Sequence, residues 1–327
     1  MADKKDVPSS SEFDSGPLNS KQPTGELNRK DRLMRVSTAQ FQMKPIKIWD
    51  DLCEHAQFFI DAAIQNKSHF LLLPETFTAE LFSTMPFGWS DNQMIRALCD
   101  MTDAYLEAFS DLSKQSNLII IAGSQPILKS DGFIYNVAHM FTPGGNVYTQ
   151  EKIHITPKEV RLWDMKPGNK INLFDTIYGR IGIQICYDIE FPEVSRLMSL
   201  AGVEVIFVPF STEDFRGYQR VRCCAQARAI ENYIYTVISG NCGTIPVASY
   251  ELNFAQSAVF SPSDLAFPTE STMIESEPDI ENVVNAELDL LHLAKRRKIA
   301  SVQPIRDRRE DLYQLQAKST IEIIKVE

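Results

Sequence analysis

Short apolar runs that stop at polar or charged residues recur along this chain, and helical periodicities lie between them. Met34 to Phe41 alternates apolar and polar positions like a strand with one covered face. Ile48 to Asn66 carries Leu52, Ala56, Phe59, Ile60 and Ala63 at helical spacing. Phe70 to Leu73 and Leu118 to Gln125 read as buried strands, with a helix over Asp91 to Gln115 between them. Asn136 to Phe141 and Asn146 to Gln150 flank Thr142-Pro-Gly-Gly145, a hairpin turn.

The second half repeats the alternation. Strands are predicted over 181–185, 203–209, 233–240, 257–260 and 282–287, and helices near 193–201, over 217–232 and from Asp289 to Arg297. Strands and helices interleave with no linker and no solenoid repeat, which makes the fold class α/β. The strand content exceeds what one doubly wound sheet needs, so two stacked sheets with helices outside are expected. Residues 1–32 are polar, rich in Ser, Pro, Lys and Asp, and read as a disordered tail. Residues 316–327 form a C-terminal extension.

Composition narrows the function classes. With 44% hydrophobic and 23% charged residues, the 327-residue chain has ordinary globular proportions and can enclose a deep pocket. A net charge of −10 argues against a nucleic-acid footprint, which needs a basic face. No run approaches the ~20 apolar residues that span a bilayer. The first residues lack the apolar core of a signal peptide. The six cysteines are irregularly spaced, which suits reduced thiols and a cytoplasmic location. The five histidines are isolated from them, so no metal site is expected, nor any cofactor.

Three strand ends carry reactive groups. Ile181 to Ile185 runs straight into Cys186-Tyr-Asp-Ile-Glu-Phe-Pro, and a thiol at a strand-to-helix turn is held rigid yet accessible. The other reading of Cys186 is a buried structural thiol. Leu71-Leu-Leu-Pro ends at Glu75, and Val147 to Glu151 ends at Lys152, with Glu159 seven positions on. Glu75 is also suited to capping a helix, and Lys152 to a surface ion pair. His154 reads as a satisfied structural histidine, whereas Trp163 suits a pocket wall and core packing equally. Arg220 and Arg222 suit a substrate clamp or a solvated helix face.

In this order, Leu73-Pro-Glu-Thr-Phe, Glu151-Lys-Ile-His and Ile185-Cys-Tyr-Asp resemble the Glu, Lys and Cys motifs of the carbon–nitrogen hydrolase (nitrilase) superfamily. Ala227-Arg-Ala-Ile-Glu-Asn232, Val284-Asn-Ala-Glu-Leu-Asp289 and Arg308-Arg-Glu-Asp-Leu-Tyr313 extend the resemblance over about 33–315. It departs from the family at Phe254-Ala-Gln-Ser-Ala and Ser263-Asp264, away from the triad, where a Gly is common. The resemblance implies a domain over 33–315 with a four-layer αββα sandwich, assembled as a homodimer or higher homo-oligomer. It implies a Glu75–Lys152–Cys186 triad with Glu159 in support and the Tyr187 backbone N–H as an oxyanion donor. Phe77, Trp163, Phe210, Ser211, Thr212 and Glu213 are the expected pocket residues.

Tyr187-Asp188 after the cysteine resembles the amidase and carbamoylase branches. The expected activity is hydrolysis of a small linear amide by water through a cysteine thioester. Hydrolysis of an N-carbamoyl compound, a non-catalytic binding protein and a redox-sensing thiol protein are the alternatives.

Overall fold

The alternating stretch after Arg32 becomes strand β1 (Leu33–Met43), the member that the rest of the sheet is built around. The structure, a computed structural model, describes residues 32–247, 250 and 252–327. The tail expected over 1–32 therefore lies, apart from Arg32, outside the described residues. Helix α1 (Trp49–Gln65) buries Leu52, Ala56, Phe59, Ile60 and Ala63, the periodic set read from the sequence. Strand β2 (Phe70–Leu72) leads through Pro74 and Glu75 into a 3-10 helix over Phe77–Thr84.

The region expected to be one helix is two, α2 (Asp91–Asp100) and α3 (Thr102–Ser116). The Met101 amide bonds Leu98 three residues back, and the Thr102 hydroxyl donates to the Cys99 carbonyl at 2.6 Å, so the first helix closes there. Strands β3 (Ile119–Leu128), β4 (Ile134–Phe141) and β5 (Val147–Glu151) form an antiparallel meander. Helix α4 (Pro157–Trp163) and strands β6 (Asn172–Asp175) and β7 (Arg180–Ile183) follow.

A short 3-10 turn over Cys186–Glu190 then enters α5 (Pro192–Leu200), β8 (Val205–Phe210), α6 (Phe215–Asn232) and β9 (Tyr235–Thr244). Strands β10 (Leu252–Asn253), β11 (Ala258–Phe260), β12 (Thr272–Glu275) and β13 (Asn282–Asp289), helix α7 (Leu290–Ile299) and strand β14 (Glu322–Lys325) complete the chain. The C-terminal extension thus ends in a strand, which pairs in parallel with β6.

Helices and strands are interleaved, with runs of consecutive strands at β3–β5 and β9–β13, which fits the α/β class. Ten of the described strands join in one hydrogen-bonded path, β14-β6-β7-β8-β9-β1-β2-β3-β4-β5, with β13 on β1, β10 and β11 on β9, and β12 on β11. That sheet curls. Phe70 of β2 stacks on Phe207 of β8 with centroids 5.4 Å apart, although β9 and β1 lie between their strands in the path. One apolar core accordingly joins Phe70, Leu72, Ile119 and Ile121 to Ile183, Val205 and Phe207 and continues beneath α5 and α6. A second core lies beneath α1 to α3.

Strand direction decides where a site can form. β2 and β3 run parallel to β1, and β7 and β8 run parallel to one another and to β9, itself parallel to β1. Two antiparallel steps make β5 parallel to β3. The C-terminal ends of β2, β5, β7 and β8 therefore point the same way, the usual mouth of an α/β sheet.

Candidate active site

Three of those strand ends, β2, β5 and β7, each deliver one group. Beyond β2, Glu75 is 4% exposed; after β5, Lys152 is 2% exposed; beyond β7, Cys186 is 7% exposed. Glu159 enters from the first turn of α4, also buried, where the Thr156 cap fixes it.

The Lys152 ammonium donates to Glu75 Oε1 at 2.7 Å and to Glu159 Oε1 at 2.8 Å. Asn136 Nδ2 reaches the same two oxygens, at 2.9 and 3.1 Å. The other oxygen of Glu75 accepts from the Ser211 amide at 3.1 Å. The second oxygen of Glu159 accepts from the Thr156 amide and hydroxyl, both at 2.8 Å. Two buried carboxylates thus share one ammonium and a full set of donors, which is what keeping such charges from water requires. The Cys186 thiol faces the Ser211 carbonyl at 3.7 Å and is within hydrogen-bonding reach of Glu75.

The backbone behind these groups is under constraint. Cys186 has φ +47° and Thr76 φ +49°, left-handed conformations that side chains with a Cβ adopt at a cost. Such a turn projects the thiol away from its strand. Behind Glu75, Gly123 has φ +55°, and a Cβ there would overlap the Pro74 carbonyl oxygen and stand 2.7 Å from its carbon. Only glycine lets β3 approach that closely, so that Ser124 bridges Glu75. Gly123→Ala is expected to lower stability by about 1–3 kcal/mol and turnover by about tenfold. Urea unfolding and an activity assay on the same preparation check this, and normal values for both would show that the close approach is dispensable.

Asp188 ties two strand ends together. Its carboxylate accepts from the His154 amide at 2.8 Å, His154 Nδ1 at 2.9 Å, the Ile153 amide at 3.3 Å and the Ile185 amide at 3.2 Å. The loop after Lys152 is thereby pinned to the turn that bears Cys186. His154 also stacks on Phe191 with centroids 3.6 Å apart. Its hydrogen bond and stacking are those of a structural histidine.

The two carboxylates are driven apart in acidity. Burial, and then the charge of Glu159, push the Glu75 pKa up against the opposing pull of Lys152. Burial also opposes ionisation of Glu159, but the Lys152 charge and the Thr156 donors outweigh it and bring the pKa down. Burial works against the Lys152 ammonium, yet the two carboxylates hold its pKa well above the ordinary lysine value. Burial and the Glu75 charge raise the Cys186 thiol well above its usual range. At neutral pH the site therefore holds a fixed Lys152⁺–Glu159⁻ pair, a protonated thiol, and Glu75 as the group able to exchange a proton.

The expected pocket residues divide. Ser211 lies at the site, its amide on Glu75 and its hydroxyl on Tyr250 at 2.7 Å. Tyr187, following the thiol, is half-buried. Trp163 is buried against Tyr250, with ring centroids 6.2 Å apart. Thr212 is engaged with the Phe254 carbonyl, and Glu213 pairs with Lys158. Phe77 is fully buried between Phe41 and Phe109, and Phe210 fully buried against Gly240 and Tyr218. These two aromatic side chains are core: Phe77 packs inward from the first turn of its 3-10 helix, and Phe210 does so from the last position of β8.

Arg222 is held by Glu275 at 2.5 and 2.9 Å, and Arg220 lies 3.3 Å from Glu190. The sequence did not single out Asn136, Asn241 (which donates to the Glu75 carbonyl at 2.8 Å) or Tyr250, and it pointed to Asp188 only as a mark of the amidase and carbamoylase branches. A polar Asn136 inside the apolar run of β4 was the one available signal. Among the described residues no group of three or more His, Cys, Asp or Glu has metal-binding geometry, and no helix is long and apolar enough to cross a membrane.

The profile of the carbon-nitrogen hydrolase family matches residues 35–298. A probable hydrolase of Bacillus subtilis, YhcX, is 40% identical over 286 residues, covering 87% of this chain and 55% of its own length. The chain thus spans about half of that relative. The omega-amidase NIT2 of Xenopus tropicalis is 27% identical over 87% of this chain and 98% of its own. The crystal structure of Saccharomyces cerevisiae Nit3, of the nitrilase superfamily, superposes with a TM-score of 0.68 at 22% identity, covering 83% of this chain and 96% of that one.

Proposed function

The chain belongs to the carbon–nitrogen hydrolase family, and from that premise we propose that it is a thiol amidohydrolase that cleaves a small linear amide to a carboxylic acid and ammonia. The observation that carries this is the Lys152 ammonium, 2.7 and 2.8 Å from two buried carboxylates, beside a buried thiol at the ends of parallel strands. The domain over 33–315 is its catalytic unit. Face-to-face contact of the two halves of the sheet, with helices outside both cores, supports an αββα sandwich.

The steps follow from the protonation states. Cys186 Sγ attacks the amide carbon while Glu75 takes the thiol proton, so no free thiolate has to form in a site that disfavours it. The carbonyl oxygen becomes an oxyanion. Two of the three Lys152 N–H groups are engaged by Glu75 and Glu159, and the third is available to that oxygen. The Tyr187 amide, in the first turn of its short helix, is the second donor. Glu75 then gives its proton to the nitrogen, the C–N bond breaks, and ammonia leaves a thioester on Cys186. Water attacks the thioester as Glu75 takes a proton from it. The acid departs, and the thiolate recovers the proton from Glu75. Glu159 keeps its charge throughout and holds Lys152 in place.

Incubation with a panel of small linear amides tests the proposal. Ammonia release is expected together with an acyl mass increment on the Cys186 peptide after acid quenching. A panel that yields neither would overturn it.

A further inference from the structure

A second buried charge cluster lies beside the segment that carries Glu75. His55 of α1 is 5% exposed, and both of its ring nitrogens face carboxylates. Nδ1 lies 3.1 Å from Glu80 Oε2, and Nε2 lies 2.5 Å from Glu281 Oε1. An imidazole can donate to two carboxylates only when both nitrogens carry hydrogen, so this geometry calls for the imidazolium. The imidazole also lies against Phe41, centroids 4.0 Å apart.

The partners come from different parts of the fold. Glu80, fully buried, sits in the 3-10 helix five residues after Glu75, and Glu281 immediately precedes β13. Glu80 also accepts from the Lys44 amide at 2.9 Å, and Ser83 of the same helix accepts from the Ile46 amide at 2.9 Å. The Glu75 turn, the end of β1 and the start of β13 thus converge on one ring. The remaining charged groups around the adjoining surface cavity are Lys44 and Lys47 from the loop after β1 and Asp51 and Glu54 from α1. Asp51 is already engaged with the Lys47 and Ile48 amides.

We propose that His55, held doubly protonated between Glu80 and Glu281, is a positioning residue that fixes the turn bearing Glu75 against α1 and β13. It touches no reacting atom and acts through Glu80. Burial opposes protonation of His55, but hydrogen bonds to Glu281 and Glu80 outweigh it and raise its pKa. Its contribution is fully present below the ordinary value of 6.5 and is lost as pH rises through the higher folded value. Glu281, whose pKa is lowered by His55 against burial, loses its share in acid. The clasp therefore operates between those two limits.

The part of the inference that concerns activity rests on Glu75 as the proton-transfer group, whereas the clasp itself has a readout free of that assignment. Hydrogen exchange of residues 77–84 in the full-length protein, corrected for intrinsic rates, is expected to lose about tenfold in protection as His55 gives up its proton. In Glu281→Gln, at a position 27% exposed and so tolerant of change, the midpoint is expected about one unit lower. The alkaline limb of amide turnover is expected to move with it. His55→Gln should show the high-pH behaviour already at pH 7, with kcat down about tenfold at an unchanged KM. An exchange midpoint that stays put in Glu281→Gln, or one that moves without the turnover limb, overturns the proposal. Absence of turnover in every protein counts against the amidase assignment alone, and the exchange midpoint then still decides the clasp.

Discussion

Cys186→Ala is expected to abolish amide turnover, with a loss on the order of 10⁴-fold or more, while the protein stays folded. In the proposed mechanism the sulfur forms the bond to substrate, and neither Glu75 nor Lys152 can replace it. Stability should change little. The thiol has the Ser211 carbonyl as a weak partner at 3.7 Å, and alanine keeps the Cβ and therefore the φ of +47°. Ammonia release, circular dichroism and peptide mass analysis on the two proteins check the three parts. The acyl increment must vanish with the activity. Turnover that survives the substitution would remove Cys186 from the chemistry and with it the thioester route.

Lys152→Met tests the other half of the site and is expected to cost both rate and stability. Loss of one oxyanion donor typically costs about 10²–10³ in rate. Removing one partner of a buried ion pair typically destabilises by about 3–5 kcal/mol, because charges are left buried and unpaired. Here two carboxylates would be left, with Asn136 as their shared donor.

The pH dependence has a definite sign. The Lys152 pKa is raised above 10.5, so its stabilising contribution is complete below that value and is lost as pH rises through the folded one. Glu159 is lowered from 4.5, so its contribution is present above that value and is lost as pH falls through the folded one. The deficit of Lys152→Met should therefore be largest near neutral pH and shrink toward acid, where protonated carboxyls need no counter-charge. Urea unfolding at several pH values measures it. A deficit that is uniform in pH would mean that the variant merely lost packing.

Much of the site was legible because Glu75 and Cys186 each follow a short apolar run and Lys152 follows a strand. Leu71 to Leu73, the strand before Lys152, and Ile181 to Ile185 all stop at a group that is costly to bury, and such a boundary marks the mouth of a sheet. The same logic could not orient a side chain in the residues just beyond. Phe77 and Phe210 have the composition of a pocket wall yet point into the two cores. Helix periodicity likewise runs through Met101 without a break, since the capping bond of Thr102 is a local competition that a hydrophobic pattern does not register. Asn136, Asp188 and His55 were illegible for another reason. Apart from the Ile185 amide on Asp188, their side-chain hydrogen-bond partners lie 23 to 226 residues away, and one chain carries no trace of that pairing.

By itself the sequence determined the alternation of strands and helices, the apolar faces, and the arrival of an acid, an amine and a thiol at strand ends, because these follow from periodicity and burial within each segment. Tertiary structure alone decided that β2, β5, β7 and β8 point the same way. It also decided that Gly123 lets Glu75 come close, and that one carboxylate is pushed up in pKa while the other is held down. Those outcomes depend on distances between remote segments and on their exclusion from water, and electrostatic energy in a buried site changes steeply with both.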